Sequence, residues 1–318
     1  GWRADVFRGE MAETWGDDAG ALAASDALAA SEDPRAQLSG LMGKLAQVRS
    51  GKRKGVSKAD QVSWSAAAHT IALAEGTADQ VVQSTRMVVD AHKQVSDFGA
   101  ALAAALQSKI AAEAAGVNAA DGGLFAANAS LHLGDPTEAS KLAVAVMEAN
   151  PDSESASHQQ AAWLSGLAAW ALGRSDELDK AAAACRGPQK DALKALAAVQ
   201  KGDVETARLQ FPPSGLGGED AAQVYGVAAL IDPAKANTWH DKAIAGADAS
   251  GIDMLRLSTR FAKESHLRTF DRKGAAALRR DISKKLAMGG AVSTELAARS
   301  LLAGAPSAIP MGATPGAE

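Results

Sequence analysis

Residues 124–151 read LFAANASLHLGDPTEASKLAVAVMEANP, and their spacing decides the fold. After Gly134 come Ala139, Ala143, Val146 and Pro151 at offsets of 5, 9, 12 and 17, and Ala127 stands seven positions before it. A glycine followed by Asp-Pro predicts a helix ending in a left-handed residue. Asp135 then caps a second helix, and Pro136 suits its first turn. Asn150-Pro151 ends that second helix, because the residue before a proline avoids the helical region. The stretch is one helical hairpin.

The same register recurs on both sides. Leu178, Ala182 and Cys185 follow Gly173; Ala207 and Phe211 follow Gly202; Val81, Thr85 and Val88 follow Gly76. Gly166 and Ala195 keep the small position seven before their glycines. The expected pairs are 63–75 with 79–93, 124–132 with 136–149, 155–172 with 175–186, 189–200 with 203–211, and 220–231 with 233–247. Between the first two pairs, Phe98, Leu102, Leu106 and Ile110 recur every four residues, which makes one apolar helical stripe.

Composition agrees. Apolar residues make up 47% of the 318 residues but aromatics only 4%, and alanine carries the difference. Alanine is the strongest helix former and lets helix axes approach closely, whereas a β-sandwich would need alternating Val, Ile, Thr and aromatics. No run of that kind occurs. The expected fold is all-α, a right-handed α-solenoid of stacked antiparallel hairpins.

The expected organisation is an N-terminal set of helices with a basic loop over 1–58, helical repeats over 59–211, and a Pro/Gly linker at 212–219. C-terminal helical pairs with a basic face follow over 220–303, and a flexible tail over 304–318. Three helices are expected within 251–303, broken near Arg272–Gly274 and at Gly289-Gly290. Asp33-Pro34 breaks the first segment, and Ser57 is placed to cap the helix after the basic loop.

The segments around Gly134, Gly173 and Gly202 resemble tetratricopeptide repeats. Residues 120–153 match the second half of that motif through Gly134-Asp135, Ala139, Ala143, Val146 and Pro151. Residues 159–188 match it through Gly166, Gly173, Ala182 and Cys185. The intervals between turn glycines are 58, 39 and 29 residues rather than a steady 34, so the repeats are degenerate. The resemblance covers about 60–236. It implies that the first helix of each hairpin lines a concave groove where a protein segment lies. On that basis the groove candidates are Asn128 and His132 in one first helix, with Leu124 beside them, Trp163 and Trp170 in the next, and Gln189 in a third. Asn128 stands where peptide-binding members place an asparagine, but Leu124 replaces the lysine that precedes it, so a carboxylate clamp is not expected. Trp163 and Trp170, seven apart, share a helix face and serve either as fillers of an alanine-thin core or as anchors for a partner; the core role is favoured.

Charge points to two basic stretches in a chain of net charge −4. Residues 251–290 hold ten Lys or Arg against four acids. The candidates there are Arg256, Arg260, Lys263, Arg279, Arg280 and Lys284, read as a solvated end face in preference to a nucleic-acid or acidic-partner surface. Lys44, Arg49, Lys52, Arg53, Lys54 and Lys58 form a second run with no acid between them.

Catalytic signatures are missing: no His-Glu-x-x-His, no paired Cys-x-x-Cys and no phosphate-binding glycine loop with Lys-Ser/Thr. The six histidines have no ligand spacing, so no metal and no cofactor are expected. The single Cys185 is read as a small buried apolar residue. No small-molecule substrate is evident, and no stretch is apolar enough to span a membrane. The chain opens Gly-Trp-Arg without Met or a signal-peptide core, so the expectation is a soluble chain whose compartment stays open. The expected function is a non-enzymatic scaffold or adaptor holding a protein segment. The alternatives are a structural subunit of a larger assembly and an acidic-surface or nucleic-acid binder.

Overall fold

The computed structural model describes residues 2–288, with side chains to residue 282. Among the described residues there are sixteen α-helices, one 3-10 turn and no strand, with neighbouring helices packed consecutively: an all-α, solenoid-like arrangement. The tail over 304–318 and the helix expected beyond Gly289-Gly290 lie outside the described residues. The chain divides into two units, residues 1–93 with 99–125, and residues 94–98 with 126 onward. The Pro/Gly segment 212–219 lies inside the second unit.

The first unit holds α1 (Trp2–Thr14), α2 (Asp18–Ala29), α3 (Pro34–Arg49), α4 (Lys58–Glu75) and most of α5 (Ala78–Gln94) and α6 (Phe98–Ala114). Its helices start where local chemistry directs them. Asp33 accepts the amide of Arg35 at 2.9 Å with Pro34 in the first turn, and Ser57 exchanges hydrogen bonds with Asp60 in a capping box. Helix α1 packs on α2, α2 on α3 and α3 on α4, and α1 also reaches α3. At Gly40 the backbones nearly touch: a Cβ there would sit 2.1 Å from the amide nitrogen of Ala29. Leu38 and Leu41 of α3 pack with Ala68 and Ala72 of α4, and Trp64 and Ile71 fill in beside them.

The basic run 44–58 is drawn into this unit's packing. Lys44 lies 3.3 Å from Asp26 and over the Trp64 ring at 4.1 Å. Arg49 meets Asp90 at 3.1 Å, and Lys52 meets Asp18 at 2.9 Å. Arg53 joins Asp26 at 3.1 Å, and its guanidinium also donates to the Ser25 hydroxyl and to the Gln47 side-chain oxygen. The acids that answer this run come from α2 and α5.

The second unit holds the end of α7 (Ala120–Leu133), then α8 (Pro136–Ala149), α9 (Ala156–Ala171), α10 (Ser175–Ala184), α11 (Gly187–Gln200) and α12 (Val204–Gln210). It continues with α13 (Gly218–Ile231), α14 (Ala236–Ser250), α15 (Asp253–Leu267) and α16 (Arg272–Met288). Gly134, Gly173 and Gly202 all take positive φ, at 79°, 70° and 78°, as the hairpin register requires. Gly76 does not; its backbone is extended at φ −81°. Asp135 and Asp203 cap α8 and α12 through the amides of Glu138 and Thr206.

From α8 to α16 each helix packs on the next, and in two places packing skips one: α9 meets α11, and α13 meets α15. The first helices of those successive hairpins therefore lie side by side. Alanine makes this possible. Ala139, Ala143, Ala161, Ala168, Ala192, Ala195 and Ala207 have no accessible surface. Gly166 goes further, because a Cβ there would meet both methyl carbons of Leu193 at 2.6 Å.

Candidate functional site

The groove candidates converge on a target absent from the expectation. Helix α13 begins after the turn of Gly215 and Gly217 with two acids, Glu219 and Asp220, in its first turn, where the helix dipole favours negative charge. The Asn128 amide of α7 donates to Glu219 Oε1 at 2.5 Å, and His132 Nε2 lies 3.3 Å from Glu219 Oε2. The Trp163 indole N–H of α9 donates to Asp220 Oδ1 at 2.9 Å, and the Gln189 amide of α11 reaches Asp220 Oδ2 at 3.4 Å. Three first helices thus grip the start of a fourth.

Burial differs among these groups. Trp163 has no accessible surface and His132 only 6%, whereas Asn128, Gln189, Glu219 and Asp220 are half-buried. Phe98 stacks on the His132 ring with centroids 4.4 Å apart and planes 10° off parallel. Phe98 also packs with Ala222 of α13, Ala247 of α14, and Ile252 and Leu255. Trp163 accordingly fills the core and offers no free face. Trp170 stands apart from the acidic pair; its ring is half-buried and its carbonyl accepts from the Gln200 amide at 2.8 Å. Leu124, in α7, belongs to the first unit.

The loop that introduces α13 is packed. Gly215 has φ 94°, and a Cβ there would strike the ring of Pro188 at 2.4 Å. Lys242 donates to the Pro213 carbonyl and lies over the Trp239 and Tyr225 rings, at 5.0 and 5.4 Å from their centroids. The stretch read from its prolines and glycines as a linker is thus packed against Pro188 and Lys242 where it leads into α13.

The basic candidates of 251–290 are mostly answered by nearby acids. Arg260, 8% exposed along its side chain, joins Asp248 at 2.7 Å and Asp281 at 3.2 Å. Arg256 faces Asp248 and Asp253 at 3.7 and 3.6 Å, and Lys263 pairs with Asp241. Glu264, 1% exposed, holds Arg268 at 2.7 Å and Arg279 at 2.5 Å. Hydrogen bonds from Arg268, and then Arg279, keep its carboxyl below the usual range despite burial. Arg280 is exposed, with its Nε 3.4 Å from the Ala276 carbonyl. Lys284 belongs to α16, and its side chain lies outside the described residues.

Other reactive side chains are sequestered. Burial pushes the Cys185 thiol up to about 12, and its Sγ lies 3.9 Å from the Gln159 carbonyl. Burial, followed by the neighbouring charges of His266 and Lys263, drives His240 down to about 4. Among the described residues no group of three or more His, Cys, Asp or Glu is placed to hold a metal ion. No described helix is long and apolar enough to cross a membrane.

Glu219 and Asp220 escaped the sequence reading, and Phe98 was read only as part of an apolar helical stripe and not as the residue stacked on His132. The available signal was Gly-Gly-Glu-Asp, a flexible lead-in followed by first-turn acids, which marks a helix start but names no partner for them. No protein-family model matches this chain, and no curated protein is found to match it.

Proposed function

We propose that this chain is a non-enzymatic, tetratricopeptide-like helical scaffold that binds a protein segment. One observation carries the reading: α9 and α11, first helices of successive hairpins, lie side by side, and their Trp163 and Gln189, together with Asn128 and His132 of α7, all bear on one short acidic segment. A face of Asn, His, Gln and indole N–H donors assembled from three helices suits recognition of polypeptide carboxylates. Here that face is engaged by the chain's own α13. An incoming segment at these positions has to replace Glu219 and Asp220, so the scaffold holds its partner on a surface these contacts leave open.

The ionisable groups favour this reading over catalysis. Cys185 is held as a thiol, His240 as a neutral ring, and Glu264 between two arginines, each in a structural role. The ion pairs of Arg256, Arg260, Lys263 and Arg279 likewise weaken the nucleic-acid alternative, because paired cations release few counterions on binding a polyanion.

The test is site-specific photo-crosslinking in the native cell, with the reactive residue at exposed Phe7 or Leu209 and, as control, at buried Trp163. The reading expects a discrete protein adduct from a surface position and none from 163. Adducts to nucleic acid alone, or from no surface position, would overturn it.

A further inference from the structure

Glu264, in the last turn of α15, is buried and is approached by two arginines at once. Arg268 reaches it with Nε at 2.9 Å and Nη2 at 2.7 Å, and Arg279 of α16 with Nε at 3.0 Å and Nη2 at 2.5 Å. Neither Nη1 group has a partner among the described residues, and both arginine side chains are 58% exposed. One carboxylate cannot neutralise two guanidiniums. The buried anion therefore fixes two forks on one acceptor, with a surplus positive charge facing solvent.

The surplus grows around this pair. Arg272 stands seven residues before Arg279 on α16 and so shares its face, with the small, exposed Ala276 between them. Arg272, Lys273 and Arg280 are exposed, and none has an ion-pair partner among the described residues. Residues 264–280 hold five bases against two acids, and the second acid, Asp271, is taken up in capping the Gly274 amide at 2.9 Å. Elsewhere on α15 positive charge is answered locally, since Arg256, Arg260 and Lys263 all face acids. The excess is thus confined to one place. That suits a single multiply charged anion better than a nucleic-acid backbone, which needs a row of cations. Phe270, 57% exposed and edge-on to His266, stands two residues before Arg272 and offers an apolar contact for a chain carrying the anion.

We infer that Arg268 and Arg279, held on Glu264 and joined by Arg272, form a binding site for a phosphorylated side chain of a protein partner. The inference rests on the scaffold reading and adds to it a location and a partner chemistry. A phosphoryl group carries about −1.5 to −2 charges at pH 7 and three acceptor oxygens, which match the surplus charge and the free N–H donors. A carboxylate brings one charge only, and Glu264 already supplies one from beneath.

The probe is a fluorescein-labelled peptide library, degenerate except for a central phosphoserine, titrated with the full chain and followed by anisotropy. Saturable binding is expected, about tenfold tighter than to the same library with serine or glutamate at the centre. Arg279→Gln should weaken it about tenfold, and Arg272→Gln, at an exposed residue outside any ion pair, about threefold. Lys141→Gln, an exposed change on α8, should leave it unchanged. Circular dichroism checks that each variant folds, and Arg272→Gln decides the matter if Arg279→Gln does not. Absence of saturable binding, equal binding of the serine or glutamate library, or undiminished binding by the folded arginine variants overturns the inference. So does tighter binding of a single-stranded oligoribonucleotide, because the site then reads a nucleic acid. A native protein adduct formed equally by wild type and Arg279→Gln leaves the scaffold reading standing and removes this site.

Discussion

The indole N–H of Trp163 donates to the carboxylate of Asp220 at 2.9 Å across 57 residues of chain. That bond ties the middle of α9 to the first turn of α13. Beside it, Asn128 and His132 reach back from α7 to Glu219, 91 and 87 residues away. The first-helix face is therefore closed by a polar clasp whose donors and acceptors lie on four helices.

Removing one side of the clasp should be costly. Glu219→Ala takes an acceptor from Asn128 and from the buried His132, and the expected loss is about 1–3 kcal/mol. Urea denaturation of wild type and variant measures it. A change within error would show that these contacts are dispensable.

Burial of His240 predicts acid sensitivity. Its folded pKa is depressed to about 4 from the ordinary 6.5, so burial favours the neutral ring. Stability from this group is complete above pH 6.5 and is lost as pH falls toward 4. The facing groups are His266, Lys263 and Asp241; the first two act in the same direction as burial and Asp241 against it. Between pH 7 and 5 the loss should be about 1–2 kcal/mol, and His240→Phe should flatten that part of the profile.

Cys185 should be inert in the folded chain. A thiol pushed up to about 12 from 9.0 carries about a thousandfold less thiolate at pH 8. Ellman's reagent should react slowly in buffer and at once in denaturant. Rapid reaction in buffer would place the sulfur at the surface.

Gly40 has no room for a side chain, because a Cβ would lie 2.1 Å from one backbone atom of α2 and 2.6 Å from another. Gly40→Ala should destabilise by about 1–3 kcal/mol through forced separation of α2 and α3. Thermal melts followed by circular dichroism test this, and Gly51→Ala, in open space but at φ 75°, separates steric clash from backbone strain.

The hairpins were legible because their signals are local. Gly134, Asp135 and Pro136 lie within three residues of the turn they make, and Ser57 within three of Asp60. That Asn128, His132, Trp163 and Gln189 belong together was legible only through the resemblance to tetratricopeptide repeats, which puts them on first helices lining one groove. Their occupant was not. Glu219 and Asp220 follow a Pro/Gly stretch that reads as a linker, and nothing local connects them to α7 or α9. The same limit applies to charge. Arg53 and Arg260 stand in basic runs, while Asp26 and Asp248, which answer them, lie 27 and 12 residues away. Charge counted along a chain misses neutralisation across helices.

The clasp is tested most directly by a double-mutant cycle between Trp163→Phe and Asp220→Asn, read from urea denaturation of the four proteins. Direct contact predicts a coupling energy of about 1 kcal/mol, with the double variant less destabilised than the sum of the singles. Additivity within error would mean that α9 and α13 do not meet through these residues, and that the first-helix face is open rather than closed by α13.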